Sequence, residues 1–278
     1  MRIIIKRPEL GFMPTIIMAM IVTADIMTGG INLFAQTVDC RSSQDCFNKG
    51  HETDMRELKI TYFTRAIEEW KVGDGYENLA TIYDNRGNAS RDLKQYEKAI
   101  ADYTKAIELY PKGVLAYSLR GILYGQLGKY NKAIEDFDRV IELNPKFAVA
   151  YKGRGSVYLI LGRVKKGKAD LQKAAAEYSM QINSRAATAG YYSARGWTYL
   201  WLGKCESAKS DFEKGIERDE KNPALYDALG VYWWACRKNK KDSLKWFEKS
   251  FQRGFDRWEE YYQETSDGHF LRGLNDSL

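Results

Sequence analysis

The chain has 278 residues, and its hydrophobic fraction of 44% is ordinary for a globular protein. Its five prolines are few, as expected of a mainly helical chain. The formal net charge is +6, but basic and acidic residues are mixed along the chain and no basic stripe with interleaved aromatic residues is found. We therefore expect no nucleic-acid partner.

The N-terminal stretch has the layout of an export signal. Lys6 and Arg7 precede an apolar run that ends at Ala35 and is followed by polar chain. This pattern predicts a cleavable signal peptide over residues 1–35. An uncleaved N-terminal membrane anchor is the alternative, because residues 12–35 are about long enough to span a bilayer. In the first case the protein is periplasmic or secreted, and in the second it is anchored to the inner membrane and faces the periplasm.

Residues 36–72 begin with a short polar stretch that predicts a stunted first helix. A second helix is expected from Met55 to about Lys71, capped by Thr53 or Asp54. Phe63 and Ala66 lie at the places where large and small residues recur in the helices that follow. We interpret this region as a degenerate N-terminal repeat, because a terminal repeat has one face towards water.

The middle of the chain repeats itself at a regular step of about 34 residues, a period found in arrays of helix pairs. Tyr117 corresponds to Tyr151 and Gly128 to Gly162 at this step, and an Arg-Gly pair recurs in the same way. Aromatic, small and glycine residues at fixed offsets are typical of stacked helix pairs that bury one another's apolar faces.

This pattern closely resembles the tetratricopeptide repeat (TPR) family. The family's motif positions fall on Tyr117, Gly121, Tyr124, Gly128, Tyr130, Ala133, Phe137 and Pro145. The resemblance implies an all-α fold, a right-handed superhelical solenoid of antiparallel helix pairs, with about five repeats over residues 73–256. Apolar residues after Phe255 predict a capping segment over residues 257–278 that forms a C-terminal helix on the exposed face of the array.

Two of the predicted repeats are irregular. We align Tyr76, Ala80, Tyr83 and Gly87 with the motif positions of the first helix. That alignment leaves about seven extra residues around positions 89–95, which are expected to lengthen the turn or the second helix. Further on, the step from Gly162 to Gly203 is 41 residues. Because nothing between Lys165 and Gln181 breaks a helix, the surplus predicts a helix lengthened by two turns.

The resemblance also implies which side chains line a concave groove, through fixed positions of each first helix. These positions are acidic in the first repeat, which includes Asp74, Glu77 and Asp84, and they become apolar and aromatic towards the C-terminus. The partner-binding candidates are Ile122, Lys152, Leu159, Trp197, Leu200, Trp201 and Trp234. The tryptophans either anchor an apolar or extended peptide or are covered by the long helix or the C-terminal segment.

Arginine takes a family position that is more often leucine. Arg120, Arg154 and Arg195 either hold an acidic group of a ligand or pack their stems and reach nearby carboxylates, and we favour the second interpretation. The lysine and asparagine clamp by which one subclass of the family grips C-terminal carboxylates is absent, because Thr81 and Ile122 stand at its asparagine position.

Four cysteines in an exported chain predict disulfides. Cys205 begins one helix of the array and Cys236 ends a neighbouring antiparallel one, so we predict a Cys205–Cys236 bond. We also predict a bond between Cys40 and Cys46. A zinc site is not expected, because the cysteines lack close C-x-x-C spacing.

No catalytic motif or phosphate-binding loop is found, and the chain has only two histidines. We therefore expect no enzymatic activity, no cofactor and no metal. The sequence predicts a non-catalytic interaction scaffold in the cell envelope that binds a segment of another protein in its groove. The alternative is a structural component of an envelope assembly that self-associates.

Overall fold

The computed structural model describes residues 38–184 and 187–254. Within these ranges the chain forms twelve α-helices, a 3-10 turn at Val72–Asp74 and no strand. The helices are α1 Ser43–Glu52, α2 Arg56–Glu68, α3 Tyr76–Asp92, α4 Tyr96–Leu109, α5 Val114–Gln126, α6 Tyr130–Leu143, α7 Ala148–Ile160, α8 Val164–Asn183, α9 Ala189–Trp201, α10 Cys205–Arg218, α11 Pro223–Ala235 and α12 Lys240–Phe251. The predicted export segment, residues 1–35, and capping segment, residues 257–278, lie outside the described residues.

Consecutive helices pack as pairs, α1 with α2 through to α11 with α12. The second helix of each pair also contacts the first helix of the next, so the core is a continuous layer between neighbouring pairs rather than one central cluster. This arrangement confirms the predicted all-α helical repeat array. The second predicted helix ends at Glu68, slightly before the expected Lys71.

Close approach within a pair explains the recurrent glycines. A Cβ atom on Gly121 would lie 3.1 Å from the Phe137 ring and 3.2 Å from the Cβ of Asp136. On Gly230 the corresponding atom would lie 2.4 Å from the Phe247 ring. These distances leave no space for a side chain, so the large aromatic residue of the second helix packs directly on the glycine backbone of the first.

The structure corrects the predicted alignment of the first regular repeat. The turn within each pair from α3–α4 onward contains a residue with positive φ, and Lys94, Gly128 and Gly162 fill this place in three successive repeats at a constant step. Gly87 is therefore equivalent to Gly121 and not to Gly128. A Cβ on Gly87 would accordingly meet Tyr103, as one on Gly121 would meet Phe137. The predicted insertion does not exist.

The alignment was wrong because lysine occupies the turn position where the motif has glycine. The two helices end at equivalent residues, but α3 has 17 residues whereas α5 has 13, so α3 begins earlier. The first helix of this repeat is therefore longer at its N-terminal end, and neither its turn nor its second helix is lengthened. The repeat itself keeps the regular period of the array.

The long second helix of the third regular repeat is present as predicted, since α8 has 20 residues and α6 has 14. Its length changes how the next pair docks. Asp138 on α6 receives a hydrogen bond from the following repeat, and its equivalent one period later is Gln172. On α8 the corresponding acceptor is Ser179 instead. The pair α9–α10 therefore packs two turns, about 10 Å, further along α8.

Candidate interaction surface

An arginine from the first helix joins the second helices of two neighbouring repeats. Arg120 donates from Nε and Nη2 to the two carboxylate oxygens of Asp136, at 2.9 and 2.7 Å. Its Nη1 donates to the hydroxyl of Thr104 in the preceding repeat, at 2.9 Å. The guanidinium also lies 5.9 Å from the ring centre of Tyr117 and 5.8 Å from that of Tyr124. Such a planar, forked donor matches a carboxylate bidentately.

The same contact, which we call the arginine clamp, recurs along the array. Its members are Arg86 with Asp102 and Thr64, Arg120 with Asp136 and Thr104, Arg154 with Asp170 and Asp138, and Arg195 with Asp211 and Ser179. The prediction that these arginines reach carboxylates is confirmed. Because each guanidinium donates in both directions, these residues join repeats instead of presenting free donors to a ligand.

The arginine and aspartate of each clamp stay charged although they are partly buried, because each compensates the charge of the other. Hydrogen bonding to Asp170 raises the pKa of Arg154 above its ordinary value, against the effect of burial, and Asp138 adds to the rise. Burial raises the pKa of Asp136, while the guanidinium of Arg120 offsets part of that rise. Buried charges are tolerated when they are paired and hydrogen-bonded in this way.

Three of the predicted groove residues are buried in the packing. Leu200 is 0% exposed and belongs to the apolar core between the pairs α9–α10 and α11–α12. Trp201 and Leu159 are 7% and 9% exposed and pack around Leu171 of α8. The shift along the long α8 places Trp201 against this helix, so the interpretation in which the long helix covers a tryptophan is correct for this residue.

The remaining candidates reach the surface to different degrees. Trp234 is exposed, whereas Ile122 is half-buried against the core of its own repeat. Trp197 is half-buried, with its ring 5.7 Å from that of Phe212.

Leu115 and Ile160 are exposed aliphatic residues on first helices that were not among the candidates. Leu115 lies in the first turn of α5, and Ile160 is the last residue of α7. Both occupy groove positions of the repeat. Their position within the repeat was the feature of the sequence from which they could have been predicted. The first helices therefore present apolar side chains over several repeats, although not the full set predicted.

Lys152 lies half-buried on α7 and has no hydrogen bond or salt bridge with the described residues. Burial lowers the pKa of its ammonium group below the ordinary value, and no acidic neighbour offsets this effect. An uncompensated cation at a groove position favours contact with a group outside the array.

Asp84 occupies the equivalent position of the first regular repeat. Its side chain is buried, and its Oδ1 has no hydrogen-bond partner within the part of the chain that the structure describes. Burial raises the pKa of this carboxyl to about 7, and the nearby charge of Asp102 adds to the rise. Ser118 occupies this position in the second regular repeat and Lys152 in the third. The position therefore changes from an acid to a hydroxyl to a cation along three successive repeats.

The structure contains both predicted disulfides, Cys205–Cys236 and Cys40–Cys46. The first joins α10 to the C-terminal end of α11, with the two Cα atoms 6.0 Å apart. The second closes the segment at the start of α1. Together they favour an oxidising compartment.

Other kinds of site receive little support from the described residues. No cluster of His, Cys, Asp or Glu in these ranges could hold a metal ion. A cavity of about 150 Å³ lies between α1 and α3, with Phe47, Trp70 and Asn78 in its lining. None of the helices described here has both the length and the apolar character needed to cross a bilayer.

Comparison with known proteins supports the fold. A thermophilic TPR protein from Thermus thermophilus is 19% identical, with a TM-score of 0.54, and the alignment covers 69% of this chain and 98% of that one. A chain of the APC/C hetero-tetramer Cut9–Hcn1 is 14% identical, with a TM-score of 0.57 and coverage of 85% and 43%. No curated protein sequence matches the chain.

Sequence models of the repeat itself match three segments. Two of them, described as tetratricopeptide repeats, match residues 114–147 and 189–222. A third, described as a TPR repeat, matches residues 87–128. The first two segments coincide with the pairs α5–α6 and α9–α10, and the third runs from within α3 to the end of α5. The chain therefore belongs to the tetratricopeptide repeat family.

Proposed function

We propose that this protein is a non-catalytic interaction scaffold that binds an apolar segment of another protein along its first helices. TPR proteins are generally protein–protein interaction scaffolds, and the fold is typical of non-catalytic proteins. The observation that carries the proposal is that three first helices each expose a large apolar side chain, Leu115, Ile160 and Trp234. Exposed apolar residues that recur on the first helices of several repeats favour a binding surface over incidental exposure.

The binding surface defined here consists of Leu115, Ile122, Lys152, Ile160, Trp197 and Trp234. Trp234 is its anchor, because a large, partly exposed aromatic ring contributes most to affinity when a partner covers it. Lys152 supplies a cation without a partner among the described residues, which a polar group of the bound segment would compensate. Trp201, Leu200 and Leu159 support the surface from below, because they are buried.

A peptide-display selection tests the proposal even though the partner is unidentified. The full chain is used as bait, and the affinities of the enriched peptides are then measured for three variants. We expect Trp234→Ala and Leu115→Ala each to weaken binding by about tenfold, as for interface anchors. Met180→Ala is the matched control, because Met180 is also an exposed apolar residue but lies on the second helix α8. It should leave the affinity unchanged.

The outcomes separate this function from its alternative. Peptides that bind all variants equally, or a selection that enriches no peptide, would refute the proposed surface. If the isolated protein forms a stable oligomer and Trp234→Ala dissociates it, the surface serves self-association. The structural role in an envelope assembly would then replace the scaffold. Solution mass measured for the wild type and for Trp234→Ala distinguishes these cases.

We also propose that the protein works outside the cytoplasm. Two disulfides that tie α1 and the α10–α11 packing support this location, because such bonds persist in oxidising compartments. The N-terminal pattern of residues 1–35 is the second support. The N-terminal sequence of the mature protein distinguishes cleavage after Ala35 from retention of an anchor. A full-length chain recovered with free thiols from the cytoplasm would refute export.

A further inference from the structure

A group of exposed cations lies on the turns inside two neighbouring repeats, α5–α6 and α7–α8. We call this group the basic edge. Its members are Lys129, Lys132, Arg163, Lys165, Lys166 and Lys168. Both pairs are helical hairpins, and their first helices, α5 and α7, contact each other side by side. The two turns therefore lie at the same end of adjacent repeats and form one surface.

The charge of this surface is not balanced by carboxylates. Residues 127–134 and 161–169 contain no aspartate or glutamate. None of the basic-edge residues forms a salt bridge within the described part of the chain. The other turns differ. In the turn between α3 and α4, Asp92 and Glu97 accompany the cations, and Glu206 pairs with Arg237 beside the turn between α9 and α10.

Tyrosine rings hold part of the basic edge in place. Lys132 lies 5.6 Å from the ring centre of Tyr124, and Arg163 and Lys166 lie 5.8 and 5.7 Å from that of Tyr158. These contacts cover the rings while the charged ends stay exposed. Val164, the first residue of α8, is 49% exposed among these cations.

We propose that the basic edge binds the surface of an anionic lipid bilayer. All but one of its cations are lysines, which act as hydrated point charges and suit a diffuse layer of phosphate headgroups. Val164 adds an apolar contact at the level of the interface. Nucleic acid is less well matched, because the tyrosine rings that could stack on bases are already covered by cations.

The basic edge shares no residue with the proposed peptide-binding surface, but the two adjoin. Its cations lie on turns and on the first turns of second helices, whereas Lys152 and Ile160 lie on the first helix α7, and Ile160 is the last residue of that helix. The next turn, at Lys204, is displaced because the pair α9–α10 packs further along α8. A flat bilayer thus contacts the second and third regular repeats.

Lysine footprinting on the full chain tests the proposal. The acetylation rate of each lysine is measured by mass spectrometry with vesicles of phosphatidylcholine alone, with equal parts of phosphatidylcholine and phosphatidylglycerol, and without vesicles. We expect the anionic vesicles to slow acetylation of Lys165, Lys166 and Lys168 several-fold, with loss of protection at high salt. Lys112 and Lys146 are internal controls at the opposite end of the helix pairs and should react equally in every condition.

The footprint remains informative even if the N-terminal segment attaches the chain to every vesicle, because it reports on each lysine separately. Equal protection by neutral and anionic vesicles, or no protection by either, would overturn the proposal. Protection by duplex DNA or RNA but not by anionic vesicles would overturn it in favour of nucleic acid.

A pair of charge-reversal variants provides a second test. Lys165→Glu, Lys166→Glu and Lys168→Glu are combined in one variant. The matched control combines Lys112→Glu, Lys146→Glu and Lys221→Glu, which changes the net charge equally at exposed positions of the opposite end. Only the first variant should lose the additional binding to anionic over neutral vesicles. Equal losses in both would show that net charge, rather than this edge, attracts the protein. Far-ultraviolet circular dichroism checks that both variants remain helical.

Discussion

From α3 to α10 each repeat is joined to the one before it by an arginine clamp, whereas the last pair, α11 and α12, is joined by a disulfide and an apolar core. At the place of the clamp arginine the last repeat has Leu229, which is fully buried. Leu225 and Tyr232 pack around it against α9 and α10, and Cys236 is bonded to Cys205. Two kinds of interaction therefore join neighbouring repeats within one array.

The difference shows what each interaction controls. An arginine clamp needs an acceptor at one particular place on the preceding second helix, so it specifies the register between repeats. The shift along α8 demonstrates this, because Arg195 finds Ser179 and the clamp is kept although the pair has moved. Apolar burial is not directional and therefore specifies the register less strictly, and the disulfide fixes it by a covalent link.

Removal of the C-terminal disulfide is expected to have the largest effect on stability among the changes that test this contrast. The Cys205–Cys236 bond closes a separation of 31 residues, so Cys205→Ser with Cys236→Ser should lower the free energy of unfolding by about 4 kcal/mol. Cys40→Ser with Cys46→Ser is the control, because a separation of 6 residues predicts a loss of about 2 kcal/mol. Urea unfolding measures both. A larger loss in the control would contradict the role given to the C-terminal bond.

Removal of one clamp carboxylate tests the N-terminal half. Asp136→Ala leaves the guanidinium of Arg120 partly buried without its bidentate acceptor, so we expect a loss of about 3 kcal/mol in unfolding free energy. The neighbouring exposed Glu135 gives a control, since Glu135→Ala should change stability by less than about 0.5 kcal/mol. If the two variants are equally stable, the bidentate pair of the clamp does not stabilise the fold.

The pH dependence of stability locates the weak point of the clamped half. The pKa of Asp84 in the fold is about 7, above the ordinary value of 3.8. The contribution of this carboxyl to stability is therefore fully present below the ordinary value and is lost as the pH rises from there to about 7. Asp84→Asn should therefore stabilise the protein by about 1–2 kcal/mol near pH 8 and have little effect near pH 4. Glu77→Gln, an exposed change on the same helix, should have no such pH dependence. An equal effect of Asp84→Asn at both pH values would contradict the assignment.

The smallest expected effect concerns the turn that misled the sequence alignment. Lys94 has φ of +59°, a conformation that costs a non-glycine residue about 1 kcal/mol. We expect Lys94→Gly to raise the free energy of unfolding by about 0.5–1 kcal/mol. Lys98→Gly, inside α4, should instead lower it by about 1 kcal/mol. Thermal unfolding of the two variants should shift in opposite directions.

Periodicity was sufficient for most of the fold. The regular step of the motif predicted helix pairs, and the longer step from Gly162 to Gly203 predicted the extended α8, because a helix without a breaker continues. The alignment of the first repeat was wrong, since a lysine with positive φ replaces the expected glycine. Turn geometry can be met by an unfavourable residue when packing on both sides determines the backbone.

The binding surface was less predictable than the fold. Ile122 and Trp234 belong to the surface proposed here, but Leu200 and Trp201 are buried. Position within a repeat tells which face of the first helix a side chain occupies. It does not tell how far the next repeat covers that face, and this depends on the length of the preceding helix.

The sequence by itself determined the helix pairs and the glycine contacts within them, because these follow from a repeated local pattern. It also predicted the disulfide Cys205–Cys236, because the resemblance to the family brings these two helix ends together. Only the tertiary structure decided which groove side chains remain exposed, where the arginines find their second acceptors and which cations form one edge. These features depend on how neighbouring repeats are displaced and rotated relative to each other. Residues such as Lys132 and Lys166, one period apart in the chain, become one surface only when their repeats are stacked.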